Sequence, residues 1–109
     1  MTVKELALNE GFKTISLPSP DRVIDGVYVG DLLSWVMGRA EADNAWITIM
    51  SNLNVIAVAT LADVACVILS EGVTVNDEVS KLAESKGVNI LSTNLTSYET
   101  SVYLSGALK

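Results

Sequence analysis

Three short apolar runs, at residues 45–50, 65–69 and 88–91, most constrain what this chain can fold into. Each run is rich in β-branched residues and has the length of a strand rather than a helix. None alternates between apolar and polar positions, and such continuous runs are typical of parallel strands that are buried on both faces. We therefore interpret all three as strands of one mostly parallel sheet.

Helical patterns separate these runs. Residues 53–62 are apolar on nearly every side, which predicts a buried helix, although the valines and isoleucine there also suit a strand. The next helix starts at Thr74 or Asn76 and stops at Gly87. Strands that alternate with helices over short links predict an α/β fold. We expect a single domain over residues 1–109, with a mostly parallel sheet and flanking helices.

Two capping boxes mark the ends of the chain. The first, at residues 2–5, predicts a helix over about 3–10, and the second, at 96–99, predicts a terminal helix. Tyr98 and Val102 have the spacing expected of the inward face of that last helix.

Another amphipathic helix is predicted from Asp31 to Ala40, with Trp35 at the edge of its apolar stripe. Half of all residues are apolar and 18% are charged, which is more core-forming material than a small monomer needs. We expect this helix to lie at a subunit or partner interface, through Leu32, Trp35 and Val36.

Charge and composition exclude several classes of protein. The net charge is -6 and the seven lysines and arginines are scattered, so we expect no nucleic-acid partner. The chain starts without a signal-peptide pattern, and its longest apolar stretch, 54–69, is short for a membrane span and contains Asp63. We expect a cytoplasmic protein with no membrane partner. The single cysteine, Cys66, lies inside an apolar run and is interpreted as a small core residue.

Catalytic residues are scarce. The chain has no histidine, so both the commonest general base and the commonest metal ligand are missing. The lone cysteine has no base beside it, and acidic pairs such as Asp77 and Glu78 stand where helix starts favour them. We expect no enzyme activity, no cofactor and no metal; carboxylate-based, metal-dependent chemistry is the alternative left open.

Small polar residues follow the three apolar runs. Because the carboxyl ends of parallel strands lie at one edge of the sheet, these residues are expected to gather there, beside free N–H groups of helix starts that favour an anion. The predicted ligand contacts are Ser51, Asn52, Ser92, Thr93 and Asn94. Helix capping alone is the alternative explanation for them.

A loop at residues 21–26 offers a second set of candidates. Asp21 and Arg22 have the charges to position a polar or anionic ligand, but a local ion pair that holds the loop explains them equally well. Gly26 lets a backbone approach a ligand closely, and it also suits a simple turn.

Several segments of the chain resemble a known family. The Asp-Arg pair at 21–22, the stretch GVYVGDLLSWVM at 26–37, and the segments at 45–49, 55–59 and 90–93 are similar to the DRTGG domain family. The resemblance covers almost the whole chain.

The motif that names this family is an Asp-Arg pair followed shortly by Thr-Gly-Gly. Asp21, Arg22 and Gly26 match it, whereas Asp25 stands at the threonine position and Val27 replaces the second glycine. The resemblance therefore does not carry over a function that needs the diglycine backbone.

The resemblance implies a regulatory or ligand-binding module, commonly dimeric. Such domains occur alone, within some phosphate acetyltransferases and between the CBS domains of some pyrophosphatases, and a related domain precedes the catalytic part of HPr kinase/phosphorylase. We expect a homodimer that senses a small anionic or nucleotide-like metabolite at the strand ends. The alternative is an interaction subunit that docks on a partner enzyme through the apolar helix; the family's association with redox enzymes suggests the class of that partner.

Overall fold

A computed structural model describes residues 1–108 and contains one five-stranded sheet. Its strands are β1 (Phe12–Ser16), β2 (Val27–Val29), β3 (Ala45–Thr48), β4 (Cys66–Leu69) and β5 (Ile90–Thr93). Their order across the sheet is β1-β5-β4-β3-β2. Strands β2 to β5 are parallel, and only β1 runs antiparallel, against β5. The expected α/β fold with a mostly parallel sheet is confirmed.

Five helices cover the two faces of the sheet. They are α1 (Val3–Ala7), α2 (Leu33–Arg39), α3 (Leu53–Ala62), α4 (Asp77–Lys86) and α5 (Ser97–Ala107). Helices α2, α3 and α4 connect successive parallel strands and bury their apolar residues together on one face, around Trp46. Helices α1 and α5 bury theirs on the other face, around Ile47 and Leu91.

Strands β3 and β4 are buried at all positions, as their apolar sequences require. Helix α3 has the predicted bounds, with Asn52 as its N-cap and Asp63 in a left-handed C-cap. Helix α4 begins after the N-cap Asn76 and ends at Gly87, whose φ of 74° suits glycine. Both predicted capping boxes are present.

Three details of the predicted helices are wrong. Helix α1 ends at Ala7, because the chain leaves it for the turn that leads into β1. Asp31 precedes α2 instead of lying in its first turn, since its carboxylate accepts hydrogen bonds from Thr48 Oγ1 (2.8 Å) and Ile49 N (3.0 Å) at the end of β3. The predicted inward face of α5 is wrong as well.

Helix α5 packs through Thr100 and Leu104, whereas Tyr98 is 77% exposed and Val102 is also exposed. Thr100 can be buried because its hydroxyl donates to Thr96 O (2.8 Å), so the polar side chain keeps a partner inside the core. The apolar residues of this helix are spread around it, and their spacing did not identify its buried side.

The last strand starts later than predicted. The sequence predicted residues 88–91, but β5 spans Ile90–Thr93. Asn89 lies just before the strand, where its carbonyl accepts from Val67 N (2.8 Å) and its side chain donates to Ser19 O (2.7 Å) and Ala65 O (2.9 Å). This shift draws two polar residues, Ser92 and Thr93, into the sheet. Within residues 1–108, none of the helices is long and apolar enough to cross a membrane.

Candidate functional site

The chain changes faces of the sheet between two neighbouring strands, β4 and β5. The segment after β4 leads to α4 on one face, whereas the segment after β5 leads to α5 on the other. Open α/β sheets bind ligands in the crevice that such a switch creates at the carboxyl ends of the strands. The predicted site can therefore be located by topology.

A hollow of about 360 Å³ lies at this switch point, and we call it the β5 hollow. It is lined by Gly11, Phe12, Lys13, Gly72, Thr74, Ser92, Thr93 and Asn94. The start of β1 contributes because β1 is antiparallel, so its first residues lie beside the last residues of β5. Three of the five predicted strand-end contacts, Ser92, Thr93 and Asn94, meet in this hollow.

Lys13 and Ser92 are the central pair of the hollow. They stand directly opposite each other in the β1–β5 ladder, which puts both side chains on the same face of the sheet with their Cβ atoms about 5 Å apart. Lys13 is exposed and takes part in none of the ion pairs within residues 1–108. The hollow therefore contains a free positive charge.

Ser92 is only 5% exposed, yet its hydroxyl makes no hydrogen bond to any residue of the described chain. Every sealed side-chain nitrogen or oxygen there has a partner, so this hydroxyl must open onto the hollow. Buried polar groups are normally hydrogen-bonded. An open, unpaired hydroxyl at a strand end is thus available to a ligand.

The rim of the hollow is held by backbone hydrogen bonds between the two diverging loops. Glu71 N donates to Leu95 O (2.8 Å), and Gly72 N donates to Thr93 O (2.9 Å). Glu71 adopts a left-handed φ of 61° for this contact, which is uncommon for a non-glycine residue. Its carboxylate also accepts from Ser97 N (2.9 Å) at the start of α5. The loops are therefore fixed relative to each other.

Ser51 and Asn52 lie elsewhere. They line a separate hollow of about 430 Å³ with residues at the start of α4, among them Asn76 and Glu78. Asn52 Oδ1 accepts from Asn54 N (3.0 Å), so the capping role considered for it is present. The structure does not bring this pair into one hollow with Ser92, and a ligand contact for either group remains a prediction.

Asp21, Arg22 and Gly26 lie at the opposite edge of the sheet, where the parallel strands begin. Arg22 binds Asp43 Oδ1 (2.6 Å) and Asp63 Oδ1 (3.0 Å), and it also donates to Asp63 O (2.8 Å). Both aspartates precede strands and have left-handed φ angles. The local ion pair considered between Asp21 and Arg22 is wrong: within residues 1–108 Arg22 pairs with these two aspartates, and Asp21 is exposed.

Gly26 has a backbone role at the same edge. Its φ is 92°, and a Cβ atom there would lie 3.0 Å from Asn44 Nδ2. Asn44 is buried and supports the chain before β3. This glycine is separated by the height of the sheet from the β5 hollow, so these two sets of predicted ligand residues cannot share one small ligand.

Helix α2 carries exposed apolar residues. Leu32 is 57% exposed and Trp35 is 53% exposed, with the Arg39 guanidinium stacked 3.8 Å from the centre of a Trp35 ring. Val36 is fully buried in the chain's own core, so its predicted place in an interface is wrong. It belongs to the face of α2 that packs on the sheet.

Groups suited to catalysis are sparse in the described part of the chain. Burial raises the pKa of the Cys66 thiol to about 12, which keeps it protonated and unreactive at neutral pH. Among residues 1–108, no group of three or more His, Cys, Asp or Glu side chains is arranged to hold a metal ion.

Lys13, Gly72 and Thr74 line the β5 hollow but were not among the predicted contacts. Gly72 and Thr74 follow the second apolar run, so their position at a strand end could have identified them. The sequence could not identify Lys13, because only the antiparallel pairing of β1 with β5 brings it to this edge.

Comparison with known proteins gives a family and a fold. A model of the DRTGG domain matches residues 21–107. No curated protein matches the chain. One similar solved structure is the crystal structure of the CBS and DRTGG domains of the regulatory region of Clostridium perfringens pyrophosphatase, complexed with its activator diadenosine tetraphosphate. The two share 14% identity with a TM-score of 0.62, over 83% of this chain but only 40% of that one.

Proposed function

Because this chain belongs to the DRTGG domain family, we propose that it is a non-catalytic regulatory module that binds a small anionic or nucleotide-like metabolite. The ligand binds at the carboxyl ends of the parallel strands. The module spans residues 1–109, since α1 and β1, which precede the matched region, belong to the same core and the same sheet.

The observation that carries this proposal is the β5 hollow. It combines a switch point between β4 and β5 with the Lys13 cation and the Ser92 hydroxyl, neither of which has a side-chain partner within residues 1–108. Charged donors in a partly enclosed site form stronger hydrogen bonds than neutral ones, so an anion is the ligand they favour. The regulatory region of the pyrophosphatase, complexed with a nucleotide activator, supports the same class of function.

Thermal unfolding in the presence of candidate ligands tests the proposal. A ligand at 100 times its dissociation constant stabilises the folded state by about 2.7 kcal/mol. For a domain of this size that raises Tm by roughly 10–20 °C. The panel contains AMP, ATP, diadenosine tetraphosphate and small phosphorylated metabolites. If none of them raises Tm at millimolar concentration, the proposed ligand-binding function is wrong.

The absence of catalysis is tested on the same mixtures. The chain contains no histidine, and its cysteine is buried and protonated, so we expect each ligand to be recovered unchanged after incubation with Mg²⁺. Chromatographic detection of a product would instead support the carboxylate-based, metal-dependent alternative.

The module is proposed to act as a homodimer through α2 and the neighbouring edge strand β2. β2 has an open edge, and Val29 at its end is exposed beside the exposed Leu32 and Trp35. Edge pairing between identical strands is self-complementary, and it covers unpaired backbone groups together with apolar side chains. We expect light scattering to give twice the mass of the chain.

Trp35→Ala tests this interface, with Tyr98→Ala as the control because Tyr98 is also an exposed aromatic residue but lies on α5. The Trp35 variant is expected to be monomeric and the Tyr98 variant to stay dimeric. Unchanged association of both variants contradicts this interface.

A second candidate function uses the same surface. The exposed apolar residues of α2 also suit an interaction subunit that docks on a partner enzyme, for which the family suggests a redox class. In that case Trp35→Ala releases the partner while ligand-induced stabilisation is retained. Loss of the dimer without any effect on a partner favours the first function.

A further inference from the structure

We propose, as a step that rests on the proposed function, that the β5 hollow binds a phosphate monoester with a short aliphatic body rather than a nucleotide. Its charge, its lack of an accessible aromatic ring and its size lead to this ligand class.

The charge of the hollow suits one anionic group. Lys13 is the only cation among its lining residues, and none of the lining residues in the described chain carries a carboxylate. Ser92, on the same face of the sheet as Lys13, adds a hydroxyl donor, and Thr74 and Thr93 also line the hollow. Thr93 Oγ1 accepts from Leu95 N (3.2 Å), which leaves its O–H free to donate. A phosphate group, with three terminal oxygens, can accept from several of these donors at once.

The hollow has no aromatic face for a base. Among residues 1–108, Phe12 is the only lining residue with a ring; it is 9% exposed and packs against Tyr103, with ring centroids 5.5 Å apart. In proteins that hold single nucleic-acid strands, stacking of bases on accessible aromatic side chains contributes much of the binding. A nucleotide in the β5 hollow lacks this stacking contribution to its binding.

The size of the hollow and the net charge of the chain also favour a small monoester over a nucleotide. The volume of about 360 Å³ is near the lower end of the range for ligand pockets. The chain has a net charge of -6, and residues 1–108 place a single cation at this site, so they do not neutralise the additional phosphates of ATP, which are repelled. A compact monoester avoids both costs.

Calorimetric titration of the full chain with glycerol 3-phosphate, inorganic phosphate, succinate and AMP tests the inference. Glycerol 3-phosphate is expected to bind more tightly than both succinate and AMP. Lys13→Met removes a charge-assisted contact and should weaken its binding about 10- to 100-fold. Lys81→Met, which removes an exposed lysine on α4, is the matched control and should leave binding unchanged.

Ser92→Ala is the second variant, because it reports on the buried hydroxyl rather than on the charge. It should weaken binding of glycerol 3-phosphate by up to about 10-fold. Both Ser92→Ala and Lys13→Met should retain the wild-type circular dichroism spectrum, since neither side chain has a partner within residues 1–108 that its loss would leave unpaired.

Other outcomes overturn the inference in distinguishable ways. AMP binding more tightly than glycerol 3-phosphate and depending on Lys13 means that the hollow takes nucleotides, and the proposed function survives. Succinate binding as tightly as glycerol 3-phosphate refutes the choice of phosphate. If neither Lys13→Met nor Ser92→Ala changes the affinity, the ligand binds elsewhere on the chain. If glycerol 3-phosphate, phosphate, AMP and the nucleotides of the thermal panel all fail to bind, the proposed function falls as well.

Discussion

Replacing Gly26 with alanine tests whether the motif glycine that this chain retains has a structural role. Gly26 has a φ of 92°, and an added Cβ would lie 3.0 Å from Asn44 Nδ2. Asn44 cannot move away freely, because its Nδ2 donates to Asp25 O (2.9 Å) and its Oδ1 accepts from Glu41 N (2.9 Å). The substitution therefore meets both a backbone and a side-chain obstacle.

The expected loss of stability follows from these two obstacles. A left-handed backbone costs an L-residue about 1–2 kcal/mol. Displacing Asn44 weakens two hydrogen bonds that contribute about 1 kcal/mol each. We expect Gly26→Ala to lower the free energy of unfolding by about 2–4 kcal/mol. For a domain of this size, the corresponding decrease in Tm is roughly 10–25 °C.

Two other glycines provide matched controls. Gly11 has a φ of 96° but nothing within 4 Å of an added Cβ, so Gly11→Ala should cost the backbone contribution alone, about 1–2 kcal/mol. Gly38 lies within α2, has no positive φ and also faces open space. Gly38→Ala should stabilise the protein by about 0.5–1 kcal/mol, because alanine is the better helix former.

Urea titration of the three variants, followed by circular dichroism, measures these differences. The expected order of stability is Gly38→Ala, wild type, Gly11→Ala and then Gly26→Ala. If Gly26→Ala and Gly11→Ala are equally stable, the contact with Asn44 contributes nothing. A Gly26→Ala variant within about 0.5 kcal/mol of the wild type refutes the structural role of this glycine.

Three further predictions concern single side chains. Arg22→Met removes both ion pairs of a partly buried guanidinium and should lower the free energy of unfolding by about 1–2 kcal/mol in urea titrations, with a smaller loss at 1 M salt; an unchanged midpoint contradicts this. Thr96→Ala removes the N-cap of α5 and should cost about 1 kcal/mol, whereas Thr96→Ser should restore the Tm. Burial raises the pKa of the Cys66 thiol to about 12 from 9.0, so above pH 9 the unfolded chain loses this proton first. Above pH 9 the free energy of unfolding should therefore fall as the pH rises. Its slope should be steeper than that of Cys66→Ala by up to about 1.4 kcal/mol per pH unit. Parallel curves for the two proteins between pH 9 and 11 would exclude this linkage.

The helices were predicted best where the deciding residues lie close together in sequence. The capping box of α5 requires only Thr96 and Glu99, three residues apart, and both of its hydrogen bonds are present. Helix α3 has the bounds that its cap and its apolar residues predicted. Contacts of this kind involve only neighbouring residues, so the sequence alone is enough to identify them.

The edge strands β1 and β2 were not predicted. β2 has three residues, none fully buried, and β1 alternates only in part, so neither has a strong period. Both depend on partners that are distant in sequence: β1 pairs with β5, for example Phe12 with Thr93. An edge strand is defined by the sheet beside it more than by its own residues.

Only part of the candidate site was predicted, because the site also depends on contacts between residues that are distant in sequence. Ser92, Thr93 and Asn94 were predicted as ligand contacts because they follow an apolar run, and they do meet in one hollow. Ser51 and Asn52, predicted for the same reason, line a separate hollow. Arg22, predicted from the loop at residues 21–26, lies at the opposite edge because that loop precedes the strands instead of following them. Sequence position near a strand does not tell which end of the sheet a loop occupies.

What the sequence determined by itself was the α/β architecture, the common direction of the three apolar strands and the start of each capped helix, because periodicity and capping act over a few neighbouring residues. Only the tertiary structure decided the strand order, the buried side of α5 and the meeting of Lys13 with Ser92. These depend on contacts between residues far apart in the chain, where many arrangements satisfy the same local preferences and packing of the whole core selects one.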